Sequence, residues 1–267
     1  MTLRAVSPRL VRELKRPIDV LGRIGGMAVF FAKAAAGVPY ALRYYRQDIV
    51  RLIAEISMGV GTLAMIRGTL VIVGFLTLAT GGIEALTGFL AAFINVRISA
   101  PVVAGIGLAA TFGAGVTAQL GAMRINEEID ALEAMAIRPI SFLVSTRLIA
   151  GMAAITPMYS VAVILSFIAS RYTTVILLGQ SAGLYDHYFM TFLNPIDLLW
   201  SFFQAILMAL AILLIHTYFG YHTTGGPAGV GVATGDAVRT SLVVVVAVTL
   251  TVSLAIYGSG GNFNLAG

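Results

Sequence analysis

Cysteine is absent from the 267 residues, so the chain has no disulfide framework, thiolate metal site or thiol nucleophile. Charge is scarce too. Asp, Glu, Lys and Arg make up 11% of the chain and hydrophobic residues 58%, against roughly 25% charged residues in an ordinary soluble domain. Neither lysine follows a glycine, which excludes a phosphate-binding P-loop, and no GxSxG or HExxH occurs. His187, His216 and His222 have no metal-ligand spacing with nearby carboxylates. The glycine-rich run GGPAGVGVATG over 225–235 offers GxGxxxG without a preceding strand, and reads as a turn-rich connection. The chain thus has no recognisable equipment for binding ATP, for metal chemistry or for covalent catalysis, and a membrane enzyme is the weakest reading.

What it has in abundance is long apolar sequence. Five stretches, about 69–93, 101–120, 142–168, 196–219 and 237–257, are each long enough for roughly 30 Å of hydrocarbon, which takes about 20 residues. Up to Gly68 there are eleven basic and four acidic side chains. That excess marks a cytoplasmic N-terminal side and argues against a nucleic-acid partner. Five crossings then leave the C-terminus outside. A cleaved signal peptide is not expected, because the first segment has no continuous apolar core. Within residues 1–50, Leu3, Val6, Leu10, Leu14, Ile18, Leu21 and Ile24 recur at helical spacing, as in an amphipathic helix lying in the headgroup region. The following stretch, interrupted by Lys33, Gly37 and Pro39, reads as a continued interfacial elbow. The expected fold is all-α integral membrane: an N-terminal amphipathic elbow (1–50) and a transmembrane domain (51–267), together one domain over 1–267.

The connection over 121–139, GAMRINEEIDALEAMAIRP, is the most informative. Asn126 suits a helix N-cap, Glu127 and Glu128 the first turn, Arg138 the last, and Pro139 the stop. A short cytoplasmic helix over about 126–137 is therefore expected, with an apolar stripe of Ile125, Ile129, Leu132 and Ala136 and an acidic remainder. Such a helix is marginal alone, so either its own membrane domain or a partner must hold the stripe. In the second crossing, Gly105, Ala109, Gly113, Thr117 and Gly121 form a small-residue surface suited to close helix packing. Asp197 and Asp236 read as helix caps, and His216 as a locally hydrogen-bonded residue rather than a proton relay.

The run TAQLGAMRINEEIDALEAMAIRPISFLVSTRLIAG over 117–151 closely resembles the signature region of the MlaE/YrbE family, permeases of ABC-type lipid transporters associated with MCE proteins. INVRISAPVVAGIGL around Arg97 and GGPAGVGVAT extend the resemblance over most of the chain. It implies five spanning helices working as a dimer. It also implies that the acidic segment is a coupling helix docking on a cytoplasmic ABC ATPase dimer through Glu127, Glu128, Asp130, Leu132, Glu133 and Met135. ATP and Mg would then be bound by that partner and no cofactor by this chain. An MCE assembly would sit on the outer side, and Arg97 and Pro101 would border the lipid pathway. Arg97 could alternatively be an interfacial anchor. Where members often read RELGP, this chain has Arg97, Ile98, Ser99, Ala100 and Pro101, so an acidic partner for Arg97 is lost; Gln119 and Thr146 also depart from the usual pattern. These departures resemble B-type YrbE chains of actinobacterial operons, which implies a heterodimer with a second YrbE-type permease in a bacterial inner membrane. The implied cargo is fatty-acid or sterol-type lipid, with its identity and direction left open. An ion-gradient transporter is disfavoured by the shortage of charge within the crossings. A structural scaffold of an envelope assembly is the other alternative.

Overall fold

The computed structural model describes residues 8–80 and 83–257, and among them every regular element is helical. The expected stripe positions Leu3 and Val6 lie outside the described residues, as do the side chains of Leu10, Leu14, Ile18, Leu21 and Ile24. α1 (Pro8–Tyr44) leads into α2 (Arg46–Met58) and α3 (Val60–Ala79). Next comes one long helical column of α4 (Glu84–Phe89), α5 (Ala100–Leu108) and α6 (Ala114–Ile125), joined by π-helical stretches at Leu90–Ser99 and Ala109–Gly113. The short α7 (Glu128–Ala134) precedes α8 (Thr146–Tyr172), which has π-helical turns at both ends. α9 (Ala182–Phe192), α10 (Pro195–Tyr221) and α11 (Gly226–Tyr257) complete the order.

Six helical stretches among the described residues are long and apolar enough to cross a membrane. Five correspond to the expected crossings. The sixth, Gly25–Tyr44, is part of the expected elbow, and its packing is that of an elbow. Phe30 stacks edge-on with Tyr218, Ser145 donates to the Ala34 carbonyl at 2.7 Å, and the Arg138 guanidinium lies over the Tyr40 ring at 4.8 Å. All these partners belong to the α7 end of the bundle. α1 therefore passes across that end rather than along the length of a neighbour.

The boundaries of the crossings need correction. The expected 69–93 segment is divided: α3 ends at Ala79, and Phe93 belongs to the next column. An apolar average does not register the helix end after Ala79, where Thr80 is the C-cap. As a result Arg67 and Arg97, expected at the margins, both lie within helices. The glycine-rich run is also helical almost throughout, because Gly225 and Gly226 take positive φ and the helix starts at once. Asp236 is then interior to α11, 3.3 Å from Arg239, and caps nothing. The connection expected over 169–195 holds α9, which lies against α4. An added Cβ at Gly88 would come 2.8 Å from the Tyr185 carbonyl oxygen, so glycine permits that approach.

α10 is the centre of the bundle, packed on α5, α6, α8 and α11. Small residues make this closeness feasible. Gly105 faces Met208 and Val245, Gly113 faces the His216 ring, and Gly121 faces Thr223 and Val230. The expected small-residue surface is thus ordinary internal packing. Some polar groups buried within the bundle are paired across helices: Asn95 donates to Ser166 at 2.7 Å, and Thr117 Oγ1 and His216 Nδ1 are 2.7 Å apart. His216 is locally hydrogen-bonded, as expected.

Candidate functional site

The acidic connection forms a tight cap on the α7 end of the bundle. Asn126 does not start the short helix; its N–H donates to the Ala122 carbonyl at 3.0 Å and it closes α6. Glu127 then takes a left-handed conformation with φ 61°, and the helix runs only from Glu128 to Ala134. Its end is set by Ala136, also left-handed at φ 57°. There the Ile137 N–H donates to the Leu132 carbonyl and the Ala136 N–H to the Glu133 carbonyl, both at 3.0 Å. Pro139 lies beyond a stop already made, and the expected span of 126–137 shortens at both ends. Two non-glycine residues in this region each cost about 1–2 kcal/mol, so the surrounding contacts must hold the turn in shape.

Those contacts are apolar and internal. Ile129 is fully buried with Val116, Leu120 and Leu143, and Leu132, Phe142 and Tyr221 pack on the same cluster. Burying an isoleucine supplies about 2 kcal/mol, enough to offset one strained residue. Ile129 and Leu132 of the expected stripe therefore rest on the chain's own membrane domain, whereas Ala136 is exposed. Of the six residues expected to dock, Leu132 turns inward, whereas Glu127, Glu128, Asp130, Glu133 and Met135 are exposed. Met135 is 62% exposed. Asp130 accepts from Arg124 Nη1 at 2.6 Å, which ties the turn to α6. What remains is a rigid projection with outward carboxylates and one exposed thioether.

The opposite end is arranged differently. Arg97 is not left without an acidic partner: its Nε and Nη2 donate to Asp197 Oδ2 at 3.0 and 2.5 Å, and its guanidinium lies 3.7 Å above the Phe93 ring. The two side chains are 15% and 9% exposed. Asp197 is accordingly no cap. Asn194 caps α10, accepting from the Ile196 N–H at 2.9 Å. Pro101 is buried in the first turn of α5. Both residues expected to border a lipid pathway thus face the chain's own interior. Sequence reasoning missed this pair because its members are a hundred positions apart; the only signal was one acid and one base in otherwise apolar segments.

A third feature was missed outright. Arg67 is exposed near the middle of α3 and forms no ion pair among the described residues. It stands in a stripe with Leu63, Val71, Phe75 and Leu78, all exposed. An arginine at such depth is costly against lipid, and such residues face a bundle interior or a water-filled cavity.

Comparison with known proteins adds the following. Residues 46–255 match the family model described as Permease MlaE. A probable ABC transporter permease protein of Rickettsia prowazekii is 30% identical over 145 residues, 54% of this chain and 56% of the relative. Another so described, from Rickettsia bellii, is 25% identical over 242 residues, covering 86% and 91%. The intermembrane phospholipid transport system permease protein MlaE of Haemophilus influenzae is 24% identical over 188 residues, covering 70% and 72%. The match to the first of these spans little more than half the relative's length.

Proposed function

The chain belongs to the MlaE permease family, and from that premise we propose that it is the membrane-spanning subunit of an ATP-driven lipid transporter. The observation that carries the reading is the acidic turn. Its apolar residues are spent on its own bundle while its carboxylates and Met135 project outward, which suits a docking element for a separate protein. We assign that protein as a cytoplasmic ABC ATPase dimer, the site of ATP and Mg binding, since the chain has no P-loop. Basic residues support the orientation: Arg124, Arg138 and Arg147 flank the acidic turn and Lys33 lies beside Glu133, with Arg97 and Arg171 toward the other end. The membrane is then a bacterial inner membrane and the N-terminus is cytoplasmic.

Arg67 supports a second subunit. A stripe that pairs an unpaired guanidinium with large apolar side chains suits the wall of a cavity shared between two permeases, where a polar headgroup and an apolar tail can both be met. The departures from the common family pattern favour an unlike partner, hence a heterodimer. Lipid as cargo rests on the family and on the name of the Haemophilus relative, which refers to intermembrane phospholipid transport. An MCE assembly on the outer side would deliver or receive it. In this scheme Arg97 and Asp197 position α10 against the π-helical stretch rather than holding the headgroup. The chain makes and breaks no covalent bond.

The docking role is tested by co-purification. Glu128→Lys with Glu133→Lys leaves the buried cluster and the Arg124–Asp130 pair in place and should release the ATPase from an otherwise intact permease. Full retention of the ATPase by that variant would defeat the assignment.

A further inference from the structure

A cavity of about 370 Å³ lies between α2, α3, α6 and α8, on the half of the bundle nearer the acidic turn. Its walls include Leu52, Ile56, Phe112, Val116 and Met158, all apolar. Into this apolar setting α8 places Arg147 in its first turn. Its Nη1 donates to the Leu143 carbonyl at 2.8 Å, while its Nε is buried without a partner. Among the described residues no carboxylate lies within ion-pair distance of Arg147. Glu55 lines the same cavity, but it is exposed and engages Arg51 at 3.4 Å.

A guanidinium has five N–H donors in a planar fork that matches a carboxylate or phosphate. Held beside apolar walls with its Nε unused, it costs free energy that an anion would recover. The contrast with Arg97 is informative, since a buried arginine elsewhere in this chain has its carboxylate built in. The cavity also has a mouth, where Gly115 and Gln119 are exposed. A Cβ added at Gly115 would meet nothing within 4 Å, so the space there is open. Glu55 at the rim repels a highly charged anion and favours one of low charge. We infer that Arg147 binds the anionic headgroup of a single-charged amphiphile, a phosphate or carboxylate attached to an apolar chain, with the chain lying along the Leu52, Ile56 and Phe112 wall. This site is separate from the acidic turn and from the Arg67 stripe, and its occupancy requires neither the docking role nor transport.

The test uses the assembled complex in mild detergent and native mass spectrometry with phosphatidylglycerol, oleate, dioleoylglycerol or inorganic phosphate added in turn. Wild type should retain phosphatidylglycerol or oleate, and whichever is retained identifies the headgroup as phosphate or carboxylate. Arg147→Gln should weaken that binding at least tenfold. Gly115→Leu, which fills the open space without touching Arg147's own hydrogen bond, should do the same and decides the matter if Arg147→Gln fails to assemble. The inference is overturned if assembled variants bind the anionic amphiphile as wild type does. It is equally overturned if dioleoylglycerol binds as tightly and with the same sensitivity, or if inorganic phosphate alone matches the lipid, which would mark an ion site only.

Discussion

At the end of the bundle farthest from α7, Arg97 is closed over by Asp197 and Phe93, and Arg171 is clasped by Asp186 at 2.9 Å. At the α7 end, Glu127, Glu128 and Glu133 point outward, and Arg147 is half-buried with its Nε unused. A charge whose partner lies within the same chain contributes to architecture. A charge with no such partner points to something the chain has yet to meet, and among the described residues Glu127, Glu133 and Arg147 bring such charges to one end, with Arg67 between.

The largest expected effect comes from breaking a pair that the chain has closed. Asp197→Leu leaves Arg97 buried without its carboxylate and should destabilise the detergent-solubilised protein by roughly 3–5 kcal/mol; joining it with Arg97→Leu should recover most of the loss. Thermal unfolding of the two single variants and the double variant checks this, and additive losses would show that the pair is not coupled. Next is the packing that brings α10 to the centre. Gly113→Ala would place a Cβ 2.5 Å from the His216 ring and should cost about 1–3 kcal/mol by overpacking, relieved when His216 is also made Ala. Smaller still, on stability alone, is the change at the outward carboxylates: Glu128→Lys with Glu133→Lys should shift unfolding by no more than about 0.5 kcal/mol, even as it releases the ATPase. A large loss of stability there would place the two ends on the same footing. The smallest effect belongs to the exposed pair at the far end. Arg171 holds the Asp186 carboxyl below its usual range, so what the pair contributes is present above the ordinary carboxylate pKa and lost as pH falls through the lowered one. Asp186→Asn should therefore lower stability slightly at neutral pH, match wild type at the acid end, and so flatten the acid side of the profile.

Much of this arrangement was legible in the sequence, for reasons particular residues make plain. The apolar runs located all five crossings, because lipid imposes its composition on whatever faces it, and the string from Thr117 to Gly151 carried the family. The acidic helix was visible as a pattern, but its limits were not. Asn126 and Pro139 looked like start and stop, whereas the left-handed Glu127 and Ala136 set the ends; non-glycine residues give no warning of such a conformation. Arg97 with Asp197, and Thr117 with His216, were invisible as pairs, since a contact across about a hundred positions leaves no local periodicity. Arg67 was overlooked because the first crossing was drawn to begin at Thr69. A shift of the helix start to Val60 moved an arginine from the flank into the span.

The central claim is that the acidic turn couples this permease to an ATP-hydrolysing partner. It is tested most directly by labelled-lipid transport in vesicles that hold the reconstituted complex. Transport should require ATP, stop with a hydrolysis-deficient ATPase, and stop again when Glu128 and Glu133 are both changed to Lys in the permease. Full-rate transport by the permease alone under an imposed ion gradient would contradict the account.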